Sequence, residues 1–402
     1  MALPLVSLAD ILDARERIAS VVRYTPTTSV ESIDRICGAT VILKEEQRQR
    51  TGSFKIRGAY NHISRLPAGS RVVAASAGNH AQGVALAARL AGLDAVVFMP
   101  ANASLPKVQA TRDYGADVRF VDGALDDAVT TAKQWATDHG AVFVPPFDDA
   151  RVIAGQGTLG VELHEQAPEA RTVVVPVGGG GLVSGVAAAY RALQPATRII
   201  GVEAAGAASM VASLAAAVPC ALTSLATICD GIAVKSPSAL TLAHVRALVD
   251  DVVVVDDDAV GEALVVLLER AKAVVEPSGA AGLAAVMTGA VRSDQPIAVV
   301  LSGGNVDSLL LSKLIEHGLS QAGRYLRMRI EVPDRPGSLA TVAAVLGELG
   351  LNVLDVEHHR EGLRSLDVDE VELAVTVETR GPDHRDHALS ELARRGLHVR
   401  VD

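Results

Sequence analysis

The chain has 402 residues, of which 49% are hydrophobic, 21% charged and 3% aromatic, with a formal net charge of -10. A chain of this length is expected to fold as two to three domains of roughly 150 residues each, and its apolar excess excludes intrinsic disorder. The negative charge and the scarcity of aromatic stacking platforms argue against nucleic acid as a partner.

The N-terminus, MALPLVSLADILDAR, has no basic region ahead of its apolar residues and does not read as a secretory signal. The first chemical motif is TGSFKIRGAY, residues 51–60. In the uncharged Gly-Ser-Phe context, near an expected helix start, desolvation can strip the proton from the Lys55 ammonium and make the amine competent for Schiff-base chemistry. The strand RVVAAS then leads into SAGNHAQG, residues 76–83, with a helix expected from about Ala81. Small residues at a helix N-terminus expose backbone N–H groups that suit an anion such as a substrate carboxylate; alternatively the loop is a tight turn with Asn79 as helix cap.

DAVVFMP, a helix holding Lys107, and ADVRFVD follow, and then TVVVPV leads into GGGGLVSG, residues 178–185. Four consecutive glycines before a helix make a cradle of amides suited to a phosphate monoester. No Lys-Ser/Thr pair follows, and with Leu182 in the loop the spacing fails G-x-G-x-x-G, which opposes a dinucleotide reading. The strands RIIGVEA, DVVVVDD and PIAVVLS complete an α/β pattern of mainly parallel sheet, whose ligands sit beyond the carboxyl ends of the strands. Residues 172–190 and 204–229 contain no charged side chain, but their glycines, prolines and hydroxyls make them buried segments rather than membrane spans. Asp256, Asp257 and Asp258 read as a helix cap, and Glu276 in VEPSGA either starts a helix or orients a substrate. SGGN, residues 302–305, places the neutral Ser302 hydroxyl at a strand end. Cys37, Cys220 and Cys229 are odd in number and lack CxxC spacing, so no disulfide framework or metal site is expected and a reducing cytoplasm fits.

Residues 313–324 read as a last helix plus connector, after which the pattern changes. Leu326, Met328, Ile330 and Val332 alternate with charged residues as in a half-exposed strand. PDRPG turns the chain, and Ser338 is expected to cap a helix carrying Leu339, Val342, Leu346 and Leu349 and ending at Gly350. LNVLDVEHHR, VELAVTVETR, DHRDHALSELARRG and LHVRV complete a ferredoxin-like βαββαβ module. Adjacent His358 and His359 point to opposite faces of a strand and cannot share a metal.

Taken in order and spacing, GSFKIRGA, SAGNHAQG, LPKVQATRDYGA, GGGGL, VEPSGA and SGGN resemble the fold-type-II, pyridoxal-phosphate-dependent threonine dehydratases (threonine ammonia-lyases), and the module from Tyr325 resembles an ACT domain. The resemblance implies a tryptophan synthase β-like catalytic domain over residues 1–315 with two subdomains, a linker over 316–324 and an ACT regulatory domain over 325–402. It implies that Lys55 carries pyridoxal 5'-phosphate beside Phe54, that Asn79 meets the cofactor's 3'-oxygen, that Gly178, Gly179, Gly180, Gly181 and Leu182 hold its phosphate, and that Ser302 faces its ring nitrogen. Ser76, Ala77, Gly78, Asn79 and His80 would receive the carboxylate of a small amino-acid substrate through backbone and side chains. Lys55 would then take the Cα proton, the β-hydroxyl would leave, and the enamine would hydrolyse to 2-oxobutanoate and ammonia.

Related serine racemases carry a serine where this chain has Ala77, so a one-base site favouring dehydration is expected. Some relatives bind a cation through a glutamate and an aspartate six residues on; here Glu203 is followed by Ser209, so no bound metal is expected. The ACT resemblance implies an amino-acid effector at Asp334, Gly337, Ser338 and Leu339 with Asn352 close by, at a site formed between two modules of a homodimer or homotetramer, with isoleucine as effector and valine opposing it; a module that only mediates assembly is the alternative. Serine or 3-hydroxyaspartate dehydration is the rival reading within the family. A non-catalytic amino-acid sensor is the rival outside it, and a dehydrogenase the third.

Overall fold

A computed structural model describes residues 3–359 and 369–401. Arg360, the last residue of the strand expected over LNVLDVEHHR, lies outside the described residues. The chain divides into two compact units between Leu310 and Leu311, inside the helix Ser308–Gln321, so much of the expected connector is helical.

In the first unit a six-stranded sheet runs in the order Thr27–Ser29, Val41–Glu45, Ile297–Leu301, Thr172–Pro176, Arg198–Ala204, Asp251–Val255. It is parallel apart from its antiparallel edge Thr27–Ser29. A second, four-stranded sheet is wholly parallel, in the order Asp117–Val121, Asp94–Pro100, Arg71–Ala75, Val142–Phe143. The central strands of both are near-continuous Val, Ile and Ala because helices cover both faces. Each long strand therefore ends in a loop at one edge of its sheet, and the motif loops lie there.

The strand Val41–Glu45 escaped the sequence pattern because Lys44 and Glu45 interrupt it, yet all five residues are buried. Lys44 Nζ pairs with the Glu162 carboxylate. Arg57 donates through Nε and Nη2 to Glu46 at 2.8 and 2.7 Å, and through Nη2 to Glu162 at 3.0 Å. Two acids and two bases thus neutralise one another inside the core. Burial alone would raise the Glu46 carboxyl, but Arg57 outweighs it and holds Glu46 ionised. This cluster ties the strand to the helices Lys55–Ile63 and Ala150–Gln166. Those helices meet backbone to backbone: a Cβ on Gly155 would lie 2.6 Å from Gly58 Cα.

The second unit is a four-stranded antiparallel sheet ordered Asn352–His359, Glu370–Glu378, Tyr325–Pro333, His398–Val401. Leu326, Met328, Ile330 and Val332 are buried as their alternation predicts, and pack on Val342 and Leu346 of one helix and Leu392 of the other. The helix cap differs from expectation. Gly337, at φ 97°, takes the cap position of the helix Ser338–Glu348, and the Ser338 hydroxyl donates to the Pro333 carbonyl at 2.7 Å instead. A left-handed cap favours glycine over a side-chain cap.

Candidate active site

The motifs TGSFKIRGAY and SGGN are about 250 residues apart in sequence but zipped together in the fold. Ser53 and Gly303 form an isolated β-bridge, Phe54 N–H donates to the Ser302 carbonyl at 3.1 Å, and Gly304 N–H donates to the Gly52 carbonyl at 2.9 Å. This pairing places Lys55 at the first position of its helix, on the wall of a cavity of about 1090 Å³ that Phe54 and Ser302 also line. Lys55 Nζ has one long hydrogen bond, 3.4 Å to the Pro146 carbonyl, and sits 5.1 Å from the Phe54 ring centroid. Burial lowers its pKa to about 8, against the pull of Glu276. The neutral, nucleophilic share of the amine near physiological pH is therefore far larger than in an ordinary lysine, although the protonated form still predominates below pH 8.

Ser76, Ala77, Gly78, Asn79 and His80 line the same cavity. Gly78, not Asn79, occupies the cap position, and the helix runs Asn79–Ala91, so it starts two residues earlier than expected. The amides of its first turn have no acceptor within the helix and are available to an anion. The Gly78 amide donates to Ser76 Oγ at 3.2 Å. Asn79 Nδ2 donates to Glu276 Oε1 at 2.6 Å, and its Oδ1 accepts from Asn305 Nδ2 at 2.7 Å.

His80 departs from its expected role. Burial drives its pKa down to about 3, so the ring is neutral. Its Nε2 lies 2.9 Å from the Val144 carbonyl, which can only accept, so Nε2 holds the proton and Nδ1 has none. The ring has no donor left for a carboxylate; only the His80 backbone amide can serve one.

Across the cavity lie Gly178, Gly179, Gly180, Gly181 and Leu182. Gly180 has φ +88°, and a Cβ on Gly179 would meet the Phe147 ring at 2.1 Å. Gly180 caps the helix Gly181–Leu193, whose first-turn amides face the cavity end with the positive pole of the helix dipole. Glu276 is buried and lines the cavity near Lys55. Burial, with the Asp230 charge, raises its carboxyl to about 7 despite the Asn79 bond. It occupies the cap position of the helix Pro277–Met287 without a side-chain cap bond, which favours the site role over the helix-start role.

Residues 18–303 match the family described as pyridoxal-phosphate dependent enzyme, 286 of 402 residues by those bounds. The chain belongs to that family. Residues 327–396 match the ACT domain. An L-threonine ammonia-lyase of Thermotoga maritima is 41% identical over 400 residues, spanning 99% of this chain and 100% of that one. A serine racemase of Oryza sativa is 42% identical over 306 residues, 74% of this chain and 90% of that one. Among solved structures, a T.th. threonine deaminase superposes with TM-score 0.72 at 40% identity, covering 75% of this chain and 99% of that one.

The cofactor of this family is pyridoxal phosphate, and the cavity suits it. A half-buried amine with a single long hydrogen bond, a cradle of first-turn amides that side chains would fill, and a hydroxyl at the strand end after Leu301 all open onto one space. These are the donors and acceptors that an aldehyde, a phosphate and a ring nitrogen require.

Other flagged residues lie elsewhere. Asp256 caps its helix by accepting the Ala259 amide at 2.8 Å, as expected. Glu203 accepts the Met210 and Val211 amides at 2.8 and 2.9 Å. His359 pairs with Glu357 at 3.1 Å. All three cysteines are free, and no described helix is long and apolar enough to cross a membrane.

In the second unit, a cavity of about 360 Å³ is lined by Asp334, Arg335, Gly337, Ser338, Leu339 and His358, among others. Asn352 is not part of it. Strand register puts Asn352 opposite Glu378, and Glu378 opposite Tyr325, whereas the loop leaves the sheet at Pro333, eight residues further along that strand. Asn352 Nδ2 contacts Glu378 Oε2 at 3.4 Å. The two strands are parallel to each other, so the start of one cannot meet the end of the other within one module. His358, near the matching end, takes the expected place of Asn352.

Sequence reasoning missed Asn305. SGGN drew attention to Ser302, and the bond from Asn305 to Asn79 spans 226 positions, which no local pattern reveals.

Proposed function

We propose that this enzyme converts L-threonine to 2-oxobutanoate and ammonia, with residues 1–315 as the catalytic domain and 325–402 as a regulatory one. The observation that carries the reaction class is the half-buried Lys55 amine on the wall of the cavity that also holds the helix amides of residues 79–81 and the glycine cradle. The choice of threonine is supported by the full-length identity with a protein named L-threonine ammonia-lyase.

Bound in the cavity, pyridoxal phosphate supplies an electron sink for the bond broken at the substrate Cα. The chain does the rest. The cradle amides and Leu182 would hold the phosphate, Phe54 would flank the ring, and Ser302 would offer the ring nitrogen a neutral hydroxyl, which would leave the ring a moderate sink and favour elimination. Asn79 would donate to the 3'-oxygen. The first-turn amides of the helix Asn79–Ala91 hold the substrate carboxylate, which orients Cα towards Lys55. Lys55, neutral when freed, removes the Cα proton. Ala77 presents only a methyl group to the cavity, so nothing at that position reprotonates Cα from the opposite face. This favours elimination over the racemisation that a serine there would permit.

The second unit would bind an amino-acid effector in the loop Asp334–Leu339, with isoleucine as ligand and valine opposing it, in a homodimer or homotetramer located in the cytoplasm. Comparing kcat/KM for L-threonine, L-serine and 3-hydroxyaspartate tests the substrate assignment. Threonine should lead; a clear preference for either rival would replace threonine while leaving the reaction class intact.

A further inference from the structure

The turn ahead of Lys55 is strained. Thr51, a β-branched residue, lies at φ 62°, ψ 14°, a left-handed conformation that such residues rarely adopt. Strain of this kind persists only where the surrounding structure holds it, and it gathers at functional sites. Here the Thr51 carbonyl is turned towards Asn305, whose Nδ2 donates to it at 2.6 Å. The same nitrogen donates to Asn79 Oδ1 at 2.7 Å, and Asn79 Nδ2 donates to Glu276 Oε1 at 2.6 Å. Asn305 fits because of its neighbour: a Cβ on Gly52 would lie 2.4 Å from Asn305 Oδ1.

The chain of bonds has one direction. A backbone carbonyl can only accept, so the Thr51 oxygen fixes which end of the Asn305 amide is nitrogen. That nitrogen fixes the Asn79 oxygen towards Asn305, which leaves the Asn79 nitrogen facing Glu276. We propose that Asn305 is a positioning residue, which through the strained Thr51 carbonyl locks the Asn79 carboxamide with its nitrogen towards Glu276 and a second N–H free for the cofactor's 3'-oxygen. The inference rests on the reading of Asn79 as a cofactor contact. It assigns the left-handed turn at Thr51 and the last residue of SGGN to one device.

The test is titration of apoprotein with pyridoxal phosphate, reading the dissociation constant, the position of the visible absorption band and the pH dependence of that band. Asn305→Ala should weaken cofactor binding about tenfold, the loss of one well-placed hydrogen bond, and should shift the band. Asn305→Asp keeps the volume but sets an oxygen against both the Thr51 carbonyl and Asn79 Oδ1. It should weaken binding at least as much, and it stands in for Asn305→Ala if that variant does not fold.

A purely structural role would lower the melting temperature of the apoprotein without moving affinity or the band. If Asn79→Ala weakens binding while Asn305→Ala and Asn305→Asp bind as wild type, the inference is wrong and the reading of Asn79 stands. If Asn79→Ala binds as wild type, both fall.

Discussion

At Lys55 the protein raises the share of neutral amine by removing water from around the ammonium, and this has a measurable consequence in pH. With its pKa lowered to about 8, the amine is mostly protonated below that value and mostly neutral above it. The rate at which apoprotein captures pyridoxal phosphate should therefore rise with pH through a midpoint near 8; a midpoint near 10, where an ordinary lysine titrates, would contradict the burial argument. The Glu276 charge favours protonated Lys55, so Glu276→Gln should move the midpoint to lower pH. Lys55 and the four glycines, which the fold brings to one cavity, stood out in the sequence because each sits in a short motif with its own chemistry. The state of His80 could not, because the Val144 carbonyl that holds its proton lies 64 positions away.

Among the elements, the helix carrying Lys55 is held by charge as well as by apolar packing. Arg57 lies two residues beyond Lys55, with its side chain 1% exposed, between Glu46 and Glu162 at 0% and 5%. Arg57→Ala would leave two buried carboxylates with only Lys44 between them, so it should destabilise the fold by about 3–5 kcal/mol, read by denaturant unfolding. A loss under 1 kcal/mol would show that water or neighbouring groups can take over the neutralising role. This cluster also explains what the sequence concealed. The Val-rich strands declared themselves, but VILKE passed without a reading because its charges have partners only in the folded state. The starts of the helices at Asn79 and Ser338 were misplaced for a related reason: glycine took both cap positions, and the side chains expected there make other bonds.

At the scale of the whole molecule, the chain joins a pyridoxal-phosphate-dependent unit to an ACT domain. The alternation of Leu326, Met328, Ile330 and Val332 made the second unit legible, whereas the end of the sheet that Asn352 occupies depends on strand register, which no local pattern reveals. If the loop at Asp334–Leu339 binds an effector, isoleucine should change the apparent affinity for threonine by a factor of roughly 5–150, the range of ordinary coupling energies. Leu339→Asp, which sets a negative charge beside the loop amides, should abolish that response and leave turnover without effector unchanged. An unchanged threonine saturation curve in isoleucine and in valine would remove the regulatory assignment and leave the catalytic one standing.

Catalysis itself is tested most directly by adding L-threonine to purified protein carrying pyridoxal phosphate and measuring 2-oxobutanoate and ammonia, with Lys55→Ala measured in parallel. Wild type should release both products in equal amounts, and Lys55→Ala should fall by several orders of magnitude while keeping its fold. Absence of 2-oxobutanoate from wild type, or near-wild-type release by Lys55→Ala, would contradict the assignment of this cavity and this lysine to threonine elimination.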